Sequence, residues 1–250
     1  QWTFLHVVQA CAGYAKQEVS IVGGHPAILI AFEIARALHV DAQRMGFLSD
    51  PFFSSALMSV YGKCGAVVES EQVFCMLSHP DIVSWNAMLS AYVECGQAYK
   101  ALCLFTQILK EGRNPDPQTF VIVLHALMLA TEDSAFPVRQ HSMEFCLEIG
   151  QALQIDADVK GFAIDAFVGS TLLRMYGRLN AIAEAENAFA RLSMRTLVSW
   201  NAMLSVYVEC NHGIYALFLY LQMQEEQVYP DQLTFTIVLR ACSSIIDKEE

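Results

Sequence analysis

The residues of this chain that could hold a metal, or act as nucleophile and base, are eight cysteines (Cys11, Cys64, Cys75, Cys95, Cys103, Cys146, Cys210 and Cys242) and seven histidines. No CxxC pair, no HxE and no HExxH occurs, so the ligand spacing of a zinc site is absent. A zinc deaminase needs His-x-Glu with Pro-Cys-x-x-Cys, and neither is present. The sequence therefore predicts no catalytic residue, no metal and no cofactor. The thiols read as small, mostly buried hydrophobes in helices, reduced rather than paired, which points to a reducing compartment. His141 and Glu144 read as a solvated pair on a helix face. What remains is hydrogen-bonding chemistry: a recurring Asn-Ala at Asn86 and Asn201, and a recurring Pro-Asp that ends in Asp116 and Asp231. By themselves these side chains read as helix caps or turn residues before they read as recognition groups.

The elements that carry them must explain an unusual composition. The chain has 250 residues, 54% hydrophobic and only 16% charged, more apolar than one soluble globule requires. An extended, layered fold accounts for this, because each inner layer is covered on two sides and needs apolar residues on more than one helix face. No apolar run approaches the roughly 18 residues of a membrane span. The stretch Ala27 to Ala35 is broken by Glu33 and followed by Arg36, and the chain reads as soluble, with no membrane and no small-molecule substrate among its partners. The net charge of −11 argues against nucleic acid, since phosphate neutralisation by Lys and Arg supplies most non-specific affinity. The chain opens at Gln1 in mid-pattern, so it reads as a fragment whose targeting segment has been lost.

Internal repetition decides the architecture. At an offset of 115 residues, VSWNAMLSAYVEC (Val83 to Cys95) recurs as VSWNAMLSVYVEC (Val198 to Cys210). Extended, the copies are 35-residue units, Ile82–Asp116 and Leu197–Asp231, with 19 identities. Upstream of each lies a 31-residue unit, Pro51–Asp81 and Ala166–Thr196, sharing 11 residues including Tyr61/Tyr176 and Gly62/Gly177. A third type opens QWTF at Gln1, PQTF at Pro117 and QLTF at Gln232. Each unit reads as two helices. Trp85, Met88, Leu89 and Tyr92 fall at i, i+3, i+4, i+7, as do Ala101, Leu104, Phe105 and Ile108 after a break near Gly96. Val121 to Leu124 has strand propensity but occupies a first-helix slot, so it is expected to be helical. Trp85 and Trp200 lie on the apolar stripe and read as core. Hairpins that cannot bury an apolar face alone must stack, which predicts an all-α solenoid without a sheet.

The motifs VSWNAML, MYGR, VYGKCG, EEQVYPD and TFTIVLRAC, with alternating long, short and standard units, resemble the plant PLS subclass of pentatricopeptide repeat proteins. The resemblance covers nearly the whole chain. It implies a right-handed superhelix of helix-turn-helix repeats with units 1–50 (long), 51–81 (short), 82–116 (standard), 117–165 (long), 166–196 (short), 197–231 (standard) and a truncated long unit, 232–250, in a fragment without a C-terminal editing domain. The long units exceed the family's usual length, and the surplus falls around Tyr14 to Pro26 and Ala130 to Ser142.

In that family each repeat offers one residue early in its first helix and the last residue of the unit to the Watson–Crick edge of one base. The implied pairs are Ser55 with Asp81, Asn86 with Asp116, Val121 with Asp165, Ser170 with Thr196, and Asn201 with Asp231. Uracil is implied for the two Asn/Asp pairs and guanine for Ser55/Asp81. Val121 has no hydrogen-bonding group, and Thr196 departs from the usual closing residue, so the implied RNA reads 5′-G, U, two poorly specified bases, then U. Phe52, Val83, Phe167 and Val198 match the residues that flank the base. The phosphate-contacting basic residue at the end of the first helix is matched by Lys63 and Arg178, whereas the standard units carry Glu94 and Glu209 there. The resemblance thus implies single-stranded organellar RNA as partner, in a mitochondrion or chloroplast, for RNA editing or processing, with editing-complex proteins as further partners. A helical-repeat scaffold for protein partners is the alternative that the acidic charge favours.

Overall fold

The structure, a computed structural model, describes residues 6, 7, 10, 21, 22, 25–131, 142–162 and 165–246. The chain forms two compact units, Gln1–Ala126 and Leu127–Glu250. The first holds a two-residue antiparallel ladder, β1 (Ile21–Val22) with β2 (His25–Pro26), Ile21 lying opposite Pro26. This ladder departs from the expectation of no sheet. All other regular structure among the described residues is helical. In the first unit α1 (Ala27–Met45) leads through a 3-10 turn (Phe47–Ser49) to α2 (Pro51–Lys63), α3 (Val67–Cys75), α4 (Ile82–Glu94), α5 (Ala98–Lys110) and the start of α6 (Pro117–Ala130). The second unit continues with α7 (Ser142–Val159), α8 (Ala166–Arg178), α9 (Ile182–Arg191), α10 (Leu197–Glu209), α11 (Gly213–Glu225) and α12 (Gln232–Ile246). The fold is all-α, with Val121 to Leu124 inside α6. No described helix is long and apolar enough to cross a membrane.

Helix starts follow from capping. Asp50, Asp81, Asp165 and Thr196 each sit just before a first helix in extended backbone, and their side chains accept from the first backbone N–H groups of that helix. Helix ends follow from left-handed turns. Gly96 and Gly112 adopt φ of 69° and 65°, and the same turns one repeat set later are made by Asn211 (64°) and Gln227 (58°). Asparagine tolerates that conformation, but glutamine pays for its Cβ there.

Within each unit, hairpins stack through their first helices: α2 on α4, α8 on α10, and α10 on α12. The approach is close because glycine faces the neighbour. A Cβ on Gly62 would lie 2.8 Å from Ala91 Cα, and one on Gly177 2.9 Å from Val206 Cγ2. Tyrosines tie the same joint: Tyr92 donates to Glu71 at 2.9 Å and Tyr207 to Glu186 at 2.8 Å, each reaching the second helix of the preceding hairpin. Burial pushes both phenols well above the usual tyrosine range, and the carboxylate partners add to it. The apolar stripes meet as the periodicity requires. Trp85 and Trp200 are buried and pack edge-on against Phe74 and Phe189, with ring centroids 4.8 and 5.0 Å apart. Their indole N–H groups have no hydrogen-bond partner, so the rings act by packing.

The cysteines correct the sequence reading. Only Cys146 is buried among the described ones, Cys75 and Cys103 are exposed, and the other four lie between. Helical register sets their exposure, and a thiol is tolerated on either face. Cys11, His141 and most of the surplus in the long units lie outside the described residues.

Two stability changes follow. Gly62→Ala forces a methyl against the Ala91 backbone and is expected to cost about 1–3 kcal/mol in urea unfolding, the usual size of overpacking. Gln227→Gly relieves the left-handed strain and is expected to stabilise by roughly 0.5–1 kcal/mol in the same assay. A neutral or reversed result at either position contradicts the packing or the strain just described.

Candidate functional site

The sites form where one hairpin ends and the next begins. Asp116 caps α6: its Oδ1 accepts from the backbone N–H of Thr119 at 2.8 Å, and the backbone N–H of Asp116 donates to Thr119 Oγ1 at 3.2 Å. The same Oδ1 accepts from Asn86 Nδ2 at 3.0 Å, an amide 30 residues earlier on α4. Thr119 Oγ1 lies 2.7 Å from Asn86 Oδ1 and 2.8 Å from Asp116 Oδ1, sharing its one proton between them. The carboxylate requires the N–H side of the amide to face it, which settles the orientation of Asn86.

The second copy reproduces this closely. Asn201 Nδ2 donates to Asp231 Oδ1 at 3.1 Å, and Thr234 Oγ1 lies 2.7 Å from Asn201 Oδ1. Thr234 also caps through its N–H, 2.8 Å from Asp231 Oδ1. Those bonds from Thr234, first its backbone N–H and then its hydroxyl, hold the Asp231 carboxyl below the usual aspartate value, and the Asn201 amide adds to the effect. The asparagines are nearly covered, 3% and 5% exposed. Each amide commits one N–H and one lone pair of its oxygen within the chain, which leaves a second N–H and a second lone pair for a ligand.

Ser55 and Asp81 are joined indirectly. Ser55 Oγ lies 2.6 Å from Pro51 O and 3.3 Å from Ser84 Oγ, and Ser84 donates to Asp81 Oδ1 at 2.8 Å. Ser170 and Thr196 are not brought together: Ser170 donates to Phe167 O, while Thr196 caps α10 through the Ser199 N–H. Asp165 caps α8 through the N–H groups of Phe167 and Val168. In each short and standard unit the second residue of the first helix is an apolar side chain. Phe52, Val83, Phe167 and Val198 are all at least half exposed.

The PPR repeat family model matches residues 80–128 and 195–244, and a single PPR repeat matches residues 54–78. The chain belongs to the pentatricopeptide repeat family. A chloroplastic pentatricopeptide repeat-containing protein of Arabidopsis thaliana is 31% identical over 212 residues, 85% of this chain and 23% of its own length. Another from the same plant is 28% identical over 244 residues, 98% of this chain and 40% of its own. The chain spans between 20% and 40% of the length of such relatives. Among solved structures, the pentatricopeptide repeat protein PPR10 from maize is similar at a TM-score of 0.41 and 18% identity, covering 96% of this chain and 41% of that one.

Both matches to the PPR repeat family model, residues 80–128 and 195–244, enclose a whole Asn-Asp-Thr junction. Sequence reasoning missed the threonines Thr119 and Thr234, and with them the serines Ser84 and Ser199, although each lies three residues after a closing Asp or Thr. It also missed Leu233, the second residue of α12 at 56% exposure, and Gln118, which takes that place on α6. Two residues past each closing residue was the signal that finds them. Lys63 and Arg178 end α2 and α8, while Glu94 and Glu209 end α4 and α10.

Asp231 generates a pH test. Its carboxyl is depressed in the fold, so its contribution is complete above the ordinary aspartate value and is lost as pH falls through the depressed one. Asp231→Asn keeps the shape without the titration. The gap in melting temperature between wild type and Asp231→Asn is expected to be widest near neutrality and to narrow below about pH 4. A gap independent of pH contradicts the capping role of the carboxylate.

Proposed function

We propose that this chain binds single-stranded organellar RNA in a base-selective way, one base per repeat, as the recognition segment of an editing or processing factor of the PLS subclass. The observation that carries it is the paired junction: an amide held by the carboxylate of the next helix cap, with hydrogen-bonding capacity to spare, on a helix whose second residue is an exposed valine. An amide offers one donor and one acceptor side by side, which complements the carbonyl and N3–H of uracil. Asn86/Asp116 and Asn201/Asp231 are the uracil sites, and Ser55/Asp81 is a guanine site. Ser170/Thr196 lacks the coupling of the other pairs, and Val121 offers no polar group, so these repeats discriminate little. The exposed side chains of Phe52, Val83, Phe167 and Val198 separate successive bases, with Leu233 in the same role.

Membership of a family whose solved members include PPR10 in complex with an 18-nucleotide psaJ RNA element supports the reading. Several relatives are named as chloroplast proteins, which supports an organelle, chloroplast or mitochondrion. Lys63 and Arg178 serve the phosphates. With a net charge of −11 and acidic residues at the matching ends of α4 and α10, few phosphates are neutralised, so binding is weak with a shallow salt dependence. A second reading, a scaffold for protein partners, is favoured by that charge and by the exposed Ile214, Tyr215, Phe218 and Leu221 on α11.

Competition between RNAs that differ only at the second base of 5′-G-U-N-N-U tests the reading. Asn86→Thr is expected to move preference at that base from uracil towards guanine, with discrimination of about 1–3 kcal/mol at stake. Because Asn86 is buried and bonded to Asp116 and Thr119, the substitution is also expected to cost about 1–3 kcal/mol of stability, so binding is compared under conditions where both proteins are folded. If both proteins rank the four bases alike, Asn86 is structural and the scaffold reading gains.

A further inference from the structure

The hydroxyl that reaches each amide does not belong to the repeat that carries the amide. Thr119 and Thr234 are the third residues of the following first helices, 33 residues after Asn86 and Asn201, and both are fully buried. For capping alone a threonine there needs to engage only its own Asp. Here the hydroxyl stands 2.7 Å from the amide oxygen of the preceding hairpin in both copies.

The pattern holds along the chain. Where the residue in the reading position is polar, the third residue of the next first helix carries a hydroxyl: Ser55 with Ser84, Asn86 with Thr119, Ser170 with Ser199, Asn201 with Thr234. Where it is apolar, at Val121, the corresponding residue is Val168. Three of these four pairs are hydrogen-bonded across the junction, while Ser170 and Ser199 turn to Phe167 O and Thr196 O of their own helix starts.

We propose that Thr119 and Thr234 are specificity-determining positioning residues of the two uracil sites, each fixing the angle at which its amide, already oriented by the aspartate, meets a base. This rests on the base-reading role of Asn86 and Asn201. The chemical reason is the near-symmetry of an amide. Uracil presents a carbonyl acceptor beside the N3–H donor, while cytosine presents a donor amine beside the N3 acceptor. Turning the amide over exchanges its donor and acceptor and so exchanges the base it complements. Asp116 secures the N–H side, and Thr119 is the only side-chain donor to the oxygen side among the described residues. Losing it leaves the amide held at one corner by Asp116 and free to swing about that bond, so its spare N–H and lone pair no longer meet the uracil edge together and the preference over cytosine falls.

The test compares the full chain with Thr119→Val, Thr119→Ser and, separately, Thr234→Val, against RNAs varying the base at either uracil position. Thr119→Val is expected to reduce uracil-over-cytosine preference at the Asn86 position about fivefold, the worth of one hydrogen bond, while preference at the Asn201 position is kept. Thr119→Ser should restore it, and Thr234→Val should show the reciprocal pattern. Retained preference at the second position marks a folded chain, and Thr234→Val carries the same comparison if Thr119→Val does not fold. If wild type discriminates and the valine variants discriminate equally well, the positioning role is overturned and base reading stands. If wild type shows no preference at either position, base reading fails and the inference fails with it.

Discussion

The structure depends on a carboxylate that is shared between neighbouring hairpins. Asp116 Oδ1 accepts from the cap of its own helix and from an amide of the hairpin before it. Asp231 does the same. A cap alone would start a helix without saying where that helix must lie. Because the second donor comes from the preceding hairpin, the bond also fixes the register between first helices. The close contacts at Gly62 and Gly177, and the tyrosine bonds to Glu71 and Glu186, act on the joint before it, holding α4 to the hairpin of α2 and α3 and α10 to the hairpin of α8 and α9. The stacked faces supply the bulk of the burial, and these polar and steric contacts select one stacking geometry.

Much of this was legible in the sequence. The stripes of Trp85, Met88 and Leu89, and of Trp200, Met203 and Leu204, are buried because a helix repeats every 3.6 residues and the pattern obeys it. Val121 to Leu124 is helical because its place in the repeat outweighs β-branched propensity. The hydroxyl of Thr119 was harder to see. Its partner lies 33 residues away, and no local period links the two, so it becomes visible only when units are laid over one another from the closing residue onward. The exposure of Cys75 and Cys103 was misjudged for a related reason: composition says that thiols tend to be buried, but only register says which face they occupy.

The acidic balance and the candidate interface are reconciled by position. Formal charge is spread over the whole surface, whereas at the proposed base-reading junctions Asp116 Oδ1 and Asp231 Oδ1 each accept from a backbone N–H and from an amide. A carboxylate oxygen that accepts such bonds presents less unscreened negative charge than the formal count implies. Glu94 and Glu209 lie at the far ends of α4 and α10, eight residues beyond the asparagines of the same helices.

The shared carboxylate also changes what counts as a module. In sequence the repeat closes at Asp116, yet the cluster around Asn86 is complete only when Thr119 is included. An engineer who transplants a unit by its sequence boundaries therefore carries the amide and the acid but leaves the hydroxyl to whatever follows. The exchangeable cassette runs instead past the closing aspartate to the third residue of the next helix, and neighbouring cassettes overlap by those three residues. Grafts cut within that overlap would join well-formed helices to mismatched readers, so recombination among such arrays should be most faithful when its crossovers fall in the second helices.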